Sequence, residues 1–516
     1  MKYKLTNIAK GFILSLFILL VNHYVFADIK LPVLFADNMV LQQKEKVALW
    51  GWAEPGEQIE VTASWNKKPV KTEADEKGNW QMSINTPKAG GPYTLTFKGE
   101  NVIEINNVFL GEVWLCSGQS NMHFPVAPIE NSGWATGVLN YEKEIKNADY
   151  PQIRMFTVER KVADEPQKDV VGNWVVCSPA TVGDFSAVAY FFAQEVFEKT
   201  GFPVGLINSS WGGTPAESWT KKEILAADPE FQSILDNYEQ ALKEYPEAME
   251  AFEVKFNAWK VEAEAAKARG EKPKGAPREP IGPKHNKSPY KLYNAMIAPL
   301  VPYTIKGAIW YQGESNADRP KQYRSLFPAM IKNWRDDWNS EFPFYFVQIA
   351  PHRSQGPGIR EAQLLTMLSV PNTGMAVTTD WGDSLDIHPR NKQIVGERLA
   401  LWALAKDYGQ KDIVYSGPIY KSMKIEGDKI ILTFDYAEKG LEARDGELTE
   451  FTIAGEDQEF VPAKAVIEGS KVIVTAEGIK DPKAVRFAWK KIPEPNLYNK
   501  AGLPASPFRT DQWERE

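Results

Sequence analysis

Cysteine and histidine are scarce in this chain: 516 residues contain 2 Cys and 5 His. So few cysteines exclude a disulfide-dense scaffold and a Cys-based zinc or iron–sulfur site. No HExxH, EF-hand or P-loop pattern occurs, so neither a metal nor a cofactor is expected. Positive charge is in deficit, with 60 Lys+Arg against 67 Asp+Glu and a net charge of −7. That balance argues against a nucleic-acid or anionic-membrane partner. Composition is otherwise that of an ordinary folded protein, 43% hydrophobic and 25% charged, which excludes collagenous, disordered and low-complexity classes. The length suits about three domains. Aromatics are plentiful, with 17 Trp, 19 Tyr and 25 Phe. Such an inventory is compatible with sugar stacking, although most aromatic rings in any protein pack in the core.

The chain opens on Lys2, Lys4 and Lys10, then the apolar stretch Gly11 to Val21, then Val25-Phe26-Ala27. Basic start, short apolar run and small residues at the cleavage positions together predict a signal peptide over residues 1–27. The run is short for a spanning helix, which needs about 20 residues. Removal of three lysines and no acid takes the net charge from −7 to −10. The expectation is an exported protein, periplasmic or extracellular, with no membrane span in the mature chain. In an oxidising compartment Cys116 and Cys177 have the option of pairing.

Three textures follow. Residues 28–107 alternate apolar and polar in short runs (Lys46 to Trp52, Gln58 to Ser64, Trp80 to Ile84, Tyr93 to Phe97) between Pro-Gly, Lys-Gly and Gly-Gly turns, predicting a small β-sandwich. Residues 412–516 return to that pattern, with runs at Lys429 to Phe434, Lys471 to Val474 and Ala484 to Trp489. Between them, over 108–411, strands and helices alternate, the signature of a parallel α/β sheet. Predicted strands are Val108 to Leu115, Val204 to Asn208, Gly307 to Tyr311, Phe344 to Ile349 and Met375 to Thr379. Helical periodicity occupies Val188 to Lys199, Gln322 to Trp338, Ile359 to Leu368 and Gln393 to Tyr408. Within an insertion over 220–283, the Glu/Lys/Ala-rich stretch Lys221 to Ala268 predicts a solvated pair of helices.

Polar clusters sit where the strands end. Val108 to Leu115 runs into Cys116-Ser-Gly-Gln-Ser120-Asn-Met122, and Val204 to Asn208 into Ser209-Ser-Trp-Gly212-Gly213-Thr-Pro. Gly307 to Tyr311 runs into Gln312-Gly-Glu-Ser-Asn316, and the last strand into Asp380-Trp-Gly-Asp383-Ser-Leu-Asp386-Ile-His388-Pro. Carboxyl ends of parallel strands share one edge, where ligand crevices form, so four distant motifs converge. Their residue types suit acyl transfer. A Ser hydroxyl needs an imidazole to accept its proton, and His388 has Asp386 two residues back to orient its other nitrogen. Oxyanion charge needs fixed donors: the Ser120 amide, a Gly212 or Gly213 amide, and the side-chain amides of Gln312 or Asn316. The serine lacks the second Gly of Gly-x-Ser-x-Gly, which disfavours an α/β-hydrolase elbow.

Gly118-Gln-Ser-Asn-Met122, Trp211-Gly-Gly-Thr214, Trp310-Tyr-Gln-Gly-Glu-Ser-Asn316 and Asp386-Ile-His-Pro389 resemble the motif set of the sialate O-acetylesterase family, within the SGNH (GDSL-like) hydrolases. Phe451 to Gly455, Ala484 to Trp489 and Asn496 to Asn499 also resemble its C-terminal portion. The resemblance implies a flavodoxin-like three-layer parallel sheet flanked by β-sandwich-type regions. It implies Ser120 as nucleophile, His388 as base, and an oxyanion hole from Gly212 or Gly213 with the Gln312–Asn316 block. It also implies an O-acetylated carbohydrate substrate, sialic acid in particular, with acetylated xylan as the alternative; a non-catalytic carbohydrate-binding protein is the competing class. Two features depart from the superfamily. Its Asp-x-x-His spacing would put the acid at Leu385, so Asp386 takes the third place, with Asp383 as second candidate. Its side-chain Asn donor aligns with Gln312, Ser315 or Asn316, and Gln312 comes first after the strand. A sialate carboxylate calls for a cationic partner, and Arg353 and Arg390 follow strand-end loops at the correct edge.

Overall fold

In the computed structural model, which describes residues 28–513, a single strand joins two architectures. Strand β1 (Val102–Gly118) is 17 residues long. Its first residues alternate between exposed and buried, and from Val108 onward every residue is buried. Alternation is what a strand with one wet face requires; continuous burial is what a central parallel strand requires. The first half pairs antiparallel with Gly90–Lys98, and the second is flanked by parallel neighbours. A boundary at residue 107 thus falls inside one continuous strand. Before it, Lys46–Trp52 pairs with Asn79–Asn85, while Gln58–Ala63 pairs with Val70–Glu73 and Gly90–Lys98. Trp80 and Phe97 meet between these two layers, with ring centroids 6.1 Å apart.

The central sheet adds β2 (Tyr150–Thr157), β3 (Trp174–Cys177), β4 (Val204–Ser210), β5 (Gly307–Tyr311), β6 (Phe344–Gln348) and β7 (Thr373–Val377). Its order is β7-β6-β5-β1-β4-β2-β3, parallel throughout except for the β2–β3 pair. β4 lies on one side of β1 and β5 on the other, so the chain reverses direction across the sheet at β1. A crevice opens at such a switch point, beyond the carboxyl ends of the strands. Two strands, β2 and β3, are absent from the sequence expectation. β2 opens on Tyr150-Pro151 and carries buried Arg154, which breaks the apolar run. Arg154 donates to the Pro151 carbonyl at 3.0 Å and to Asn38 Oδ1 at 3.0 Å, so a charged residue sits inside the sheet with its donors engaged.

Helices α1 (Ser120–His123), α2 (Ala187–Thr200), α3 (Gln232–Ala268), α4 (Pro320–Trp338), α5 (Pro357–Ser369) and α6 (Gln393–Lys406) belong to this region, along with the short helices Tyr141–Asn147 and Lys222–Ala227. α2 packs on α6, and α4 on α5. The insertion is not a pair of comparable helices. It holds a six-residue helix, Lys222–Ala227, and then α3, which runs 37 residues with Pro246 inside it. Gln232 to Ala268 contains no Gly and no turn dipeptide, and one Pro removes a hydrogen bond without supplying a reversal.

After α6 come three small antiparallel sheets, one built on Ile419–Glu426, Lys429–Asp435, Lys471–Thr475 and Lys464–Glu468, a second on Phe451–Ala454 and Ala484–Phe487, and a third pairing Leu441–Ala443 with Leu497–Asn499. This region grips the central one: Gln348 Nε2 donates to Ser506 Oγ at 2.9 Å, and Arg509 Nε to Glu361 Oε1 at 2.6 Å. Cys116 and Cys177 are buried free thiols. They lie on β1 and β3, about 14 Å apart across the sheet and level with opposite ends of β2, beyond disulfide reach. Burial pushes the Cys177 thiol up to about 12. No helix among the described residues is long and apolar enough to cross a membrane, and the expected signal peptide lies outside them.

Candidate active site

β1 delivers Ser120 through a turn that only glycine permits. Gly118 has φ +139°, and a Cβ there would stand 2.2 Å from the Tyr311 carbonyl oxygen. That close approach lets the Gln119 amide donate to Tyr311 O at 2.9 Å, fixing the end of β1 against β5. Ser120 then opens α1. His388 arrives 268 residues later, and its Nε2 lies 2.9 Å from Ser120 Oγ. A hydroxyl and an imidazole at this distance can exchange a proton.

The loop before His388 is built by two aspartates with different tasks. Asp383 Oδ1 accepts the Leu385 and Asp386 amides at 2.8 and 3.1 Å, which holds its carboxyl below the usual range. Asp386 Oδ1 accepts the His388 amide at 2.9 Å and sits 3.6 Å from His388 Nδ1. Asp386 is thus the carboxylate facing the imidazole, and Asp383 shapes the turn. The start of the loop is anchored by Asp380, whose two oxygens each meet Arg398 at 2.7 Å. Burial lowers the His388 pKa to about 4, helped by the nearby Lys392 charge and opposed by Asp386. The imidazole is therefore the free base at neutral pH.

Behind this pair lies a buried polar chain. Asn121 Nδ2 donates to Glu314 Oε1 at 2.6 Å and to the Ile387 carbonyl at 3.0 Å, while Lys392 Nζ donates to Asn121 Oδ1. Lys392 also lies 4.9 Å from the centre of the Phe124 ring. Full burial lowers its pKa to about 7. Burial raises the Glu314 carboxyl, and Oε2 of that group has no hydrogen-bond partner among the described residues.

The oxyanion candidates divide. A Cβ on Gly212 would lie 3.3 Å from Ser120 Cβ, so the Gly212 backbone approaches the serine directly, and Gly213 follows at φ +74°. Among the described residues neither the Ser120 nor the Gly212 amide has an acceptor. Gln312 and Asn316 face away from this duty. Gln312 Nε2 donates to Asn316 Oδ1 at 2.6 Å and to the Thr214 carbonyl at 3.3 Å, and its Oε1 accepts from Tyr323. Asn316 Nδ2 donates to Glu217 Oε2 at 2.8 Å, and its Oδ1 accepts the Ala216 amide at 2.9 Å. Both are buried ties between the β4 and β5 loops.

Neither expected cation makes a hydrogen bond or ion pair with Ser120 or His388 among the described residues. Arg390 donates Nε to the Gly137 carbonyl at 2.8 Å and Nη2 to the Val138 carbonyl at 3.2 Å. Arg353 is exposed, near His352, whose other charged neighbours are Asp386 and Asp383. Trp134, on the loop that Arg390 fastens, is a site residue the sequence did not reveal. Its ring is 5.2 Å from His388 and 5.3 Å from His123. Among the described residues no cluster of three or more His, Cys, Asp or Glu is arranged to hold a metal ion.

Comparison with known proteins gives the family. The family described as "Carbohydrate esterase, sialic acid-specific acetylesterase" matches residues 110–259 and 282–405, more than half of the chain. Rat sialate O-acetylesterase is 29% identical, covering 92% of this chain and 93% of its own. The human sialate O-acetylesterase is also 29% identical, over 92% and 90%. A crystal structure of a carbohydrate acetylesterase from Xanthomonas citri is 35% identical, with a TM-score of 0.78 over 94% of this chain and 100% of that one. The chain belongs to the sialic acid-specific acetylesterase family of carbohydrate esterases and is a carboxylic ester hydrolase.

Proposed function

We propose that this esterase removes O-acetyl groups from sialic acids by serine catalysis on an SGNH-type sheet. The observation that carries the mechanism is the 2.9 Å contact between Ser120 Oγ and His388 Nε2. Ser120 Oγ attacks the acetyl carbonyl while its proton passes to Nε2. The tetrahedral oxyanion is held by the Ser120 and Gly212 amides, which have no other acceptor among the described residues. Collapse expels the sugar oxygen, which takes the proton from Nε2 and leaves an acetyl ester on Ser120. Water then attacks that ester, giving its proton to Nε2, and acetate leaves as the proton returns to Oγ. Asp386, 3.6 Å from Nδ1, favours the imidazolium formed at each step.

The family and the named relatives support sialic acid as the sugar. An acetylated neutral polysaccharide such as xylan is the second reading, favoured by the Trp134 ring beside His388, which suits sugar stacking. Side-by-side kinetics on O-acetyl sialic acid and acetylated xylo-oligosaccharides test the choice. A higher kcat/KM on the xylo-oligosaccharide would reject the sialate reading and leave the ester chemistry standing. Export is part of the same proposal, supported by Lys2, Lys4, Lys10 and the apolar stretch before Ala27. N-terminal sequencing of the native protein should begin near Asp28; finding Met1 would refute it.

A further inference from the structure

A sialate reading demands a cation near the serine, and neither Arg390 nor Arg353 meets the demand. Arg390 is committed to two backbone carbonyls. An anion beside Arg353 would also face Asp383 and Asp386 across His352. The opposite flank of the sheet edge offers a different arginine. β4 and β2 run parallel, and the Val158 amide extends their pairing by donating to Asn208 O at 2.9 Å. Arg160 therefore leaves the sheet at the same edge as Ser120, two strands away, about 10 Å across. Its side chain is exposed, and it makes no ion pair or hydrogen bond among the described residues.

One ring contact and one charge interaction tie Arg160 to the catalytic surface. Its guanidinium carbon lies 5.9 Å from the centre of the Trp211 ring, and Trp211 precedes the Gly212 that abuts Ser120. Its charge also acts on His123, which packs on Trp134, which packs on His388. Trp211 thus links Arg160 to the Gly212 that abuts the serine, and His123 with Trp134 links it to His388.

We propose that Arg160 is the anion-binding residue of the site and receives the substrate carboxylate while the acetyl ester lies at Ser120. This rests on the sialate reading above. The planar fork of a guanidinium matches a carboxylate with two donors, and the Trp211 face steadies it by a cation–π contact. The carboxylate is remote from the reacting carbonyl, so its capture acts mainly on KM.

The test uses O-acetyl sialic acid and its methyl ester, which differ only in that charge. Wild-type kcat/KM should favour the free acid by about 10- to 100-fold, the span of one charge-assisted pair. Arg160→Ala should bring the ratio close to one through KM, Arg160→Lys should keep part of it, and Arg353→Ala should keep all of it. A ratio unchanged in Arg160→Ala overturns the assignment alone. A wild-type enzyme indifferent to the methyl ester overturns it together with the sialate reading. Loss of the ratio in Arg353→Ala instead would move the anion site to the other flank and also overturn it.

Discussion

The side-chain amide of Asn121 donates to the main-chain carbonyl of Ile387 at 3.0 Å, joining the residue after the serine to the residue before the histidine. A short helix from the first strand end and a loop from the last are thereby held in one register. Asn121 is itself fixed by Lys392 and Glu314. The Ser120–His388 distance therefore depends on a buried polar chain that touches no substrate.

Lys392 gives that chain an electrical role. His388 has its pKa lowered to about 4 by burial first and the Lys392 charge second. A lowered imidazole pKa keeps the base free down to acidic pH, so the acid limb of kcat/KM should fall near pH 4. Removing the cation removes its repulsion, so Lys392→Met should move that limb upward, toward the ordinary imidazole value. Asp386→Asn removes a negative charge that raises the pKa and should move it the other way. A pH–rate profile of each variant checks both signs.

The two loop aspartates should behave unequally. Asp386→Asn removes the charge beside His388 Nδ1 and should lower kcat by roughly 10- to 10⁴-fold, bounded by the loss seen when a triad acid is neutralised. Asp383→Asn keeps an oxygen able to accept the Leu385 and Asp386 amides, so its cost should stay within a few-fold. A larger loss at 383 than at 386 would exchange their roles.

Gln312 and Asn316 should matter to stability more than to chemistry. Gln312→Ala would leave buried Asn316 Oδ1 and Tyr323 Oη short of partners, at a cost of about 1–3 kcal/mol. Denaturant unfolding should show that loss, while kcat of the folded fraction changes little. A loss of 10²-fold or more in kcat at unchanged stability would return Gln312 to the oxyanion hole.

The alternation of strands and helices was legible because buried parallel strands are apolar throughout, as β5 and β6 are. β2 escaped for the opposite reason, its buried Arg154. Four strand-end motifs foretold that Ser120, Gly212 and His388 would converge, since polar residues after apolar runs mark the sheet edge. Roles set by side-chain direction left no such mark. Gln312 and Asn316 have the composition of oxyanion donors, yet their amides point into the loop network. Trp134 and Arg160 reach the site from loops without a motif, and Lys392 reads as the start of a helix until its burial is seen.

The central claim is that Ser120 is the nucleophile, and acetate release by Ser120→Ala from a generic aryl acetate tests it most directly. With the fold confirmed by circular dichroism, the rate should fall by roughly 10⁴-fold or more, as should that of His388→Ala, because nucleophile and base act as a unit. A folded Ser120→Ala protein that keeps about a hundredth or more of the wild-type rate would contradict the account.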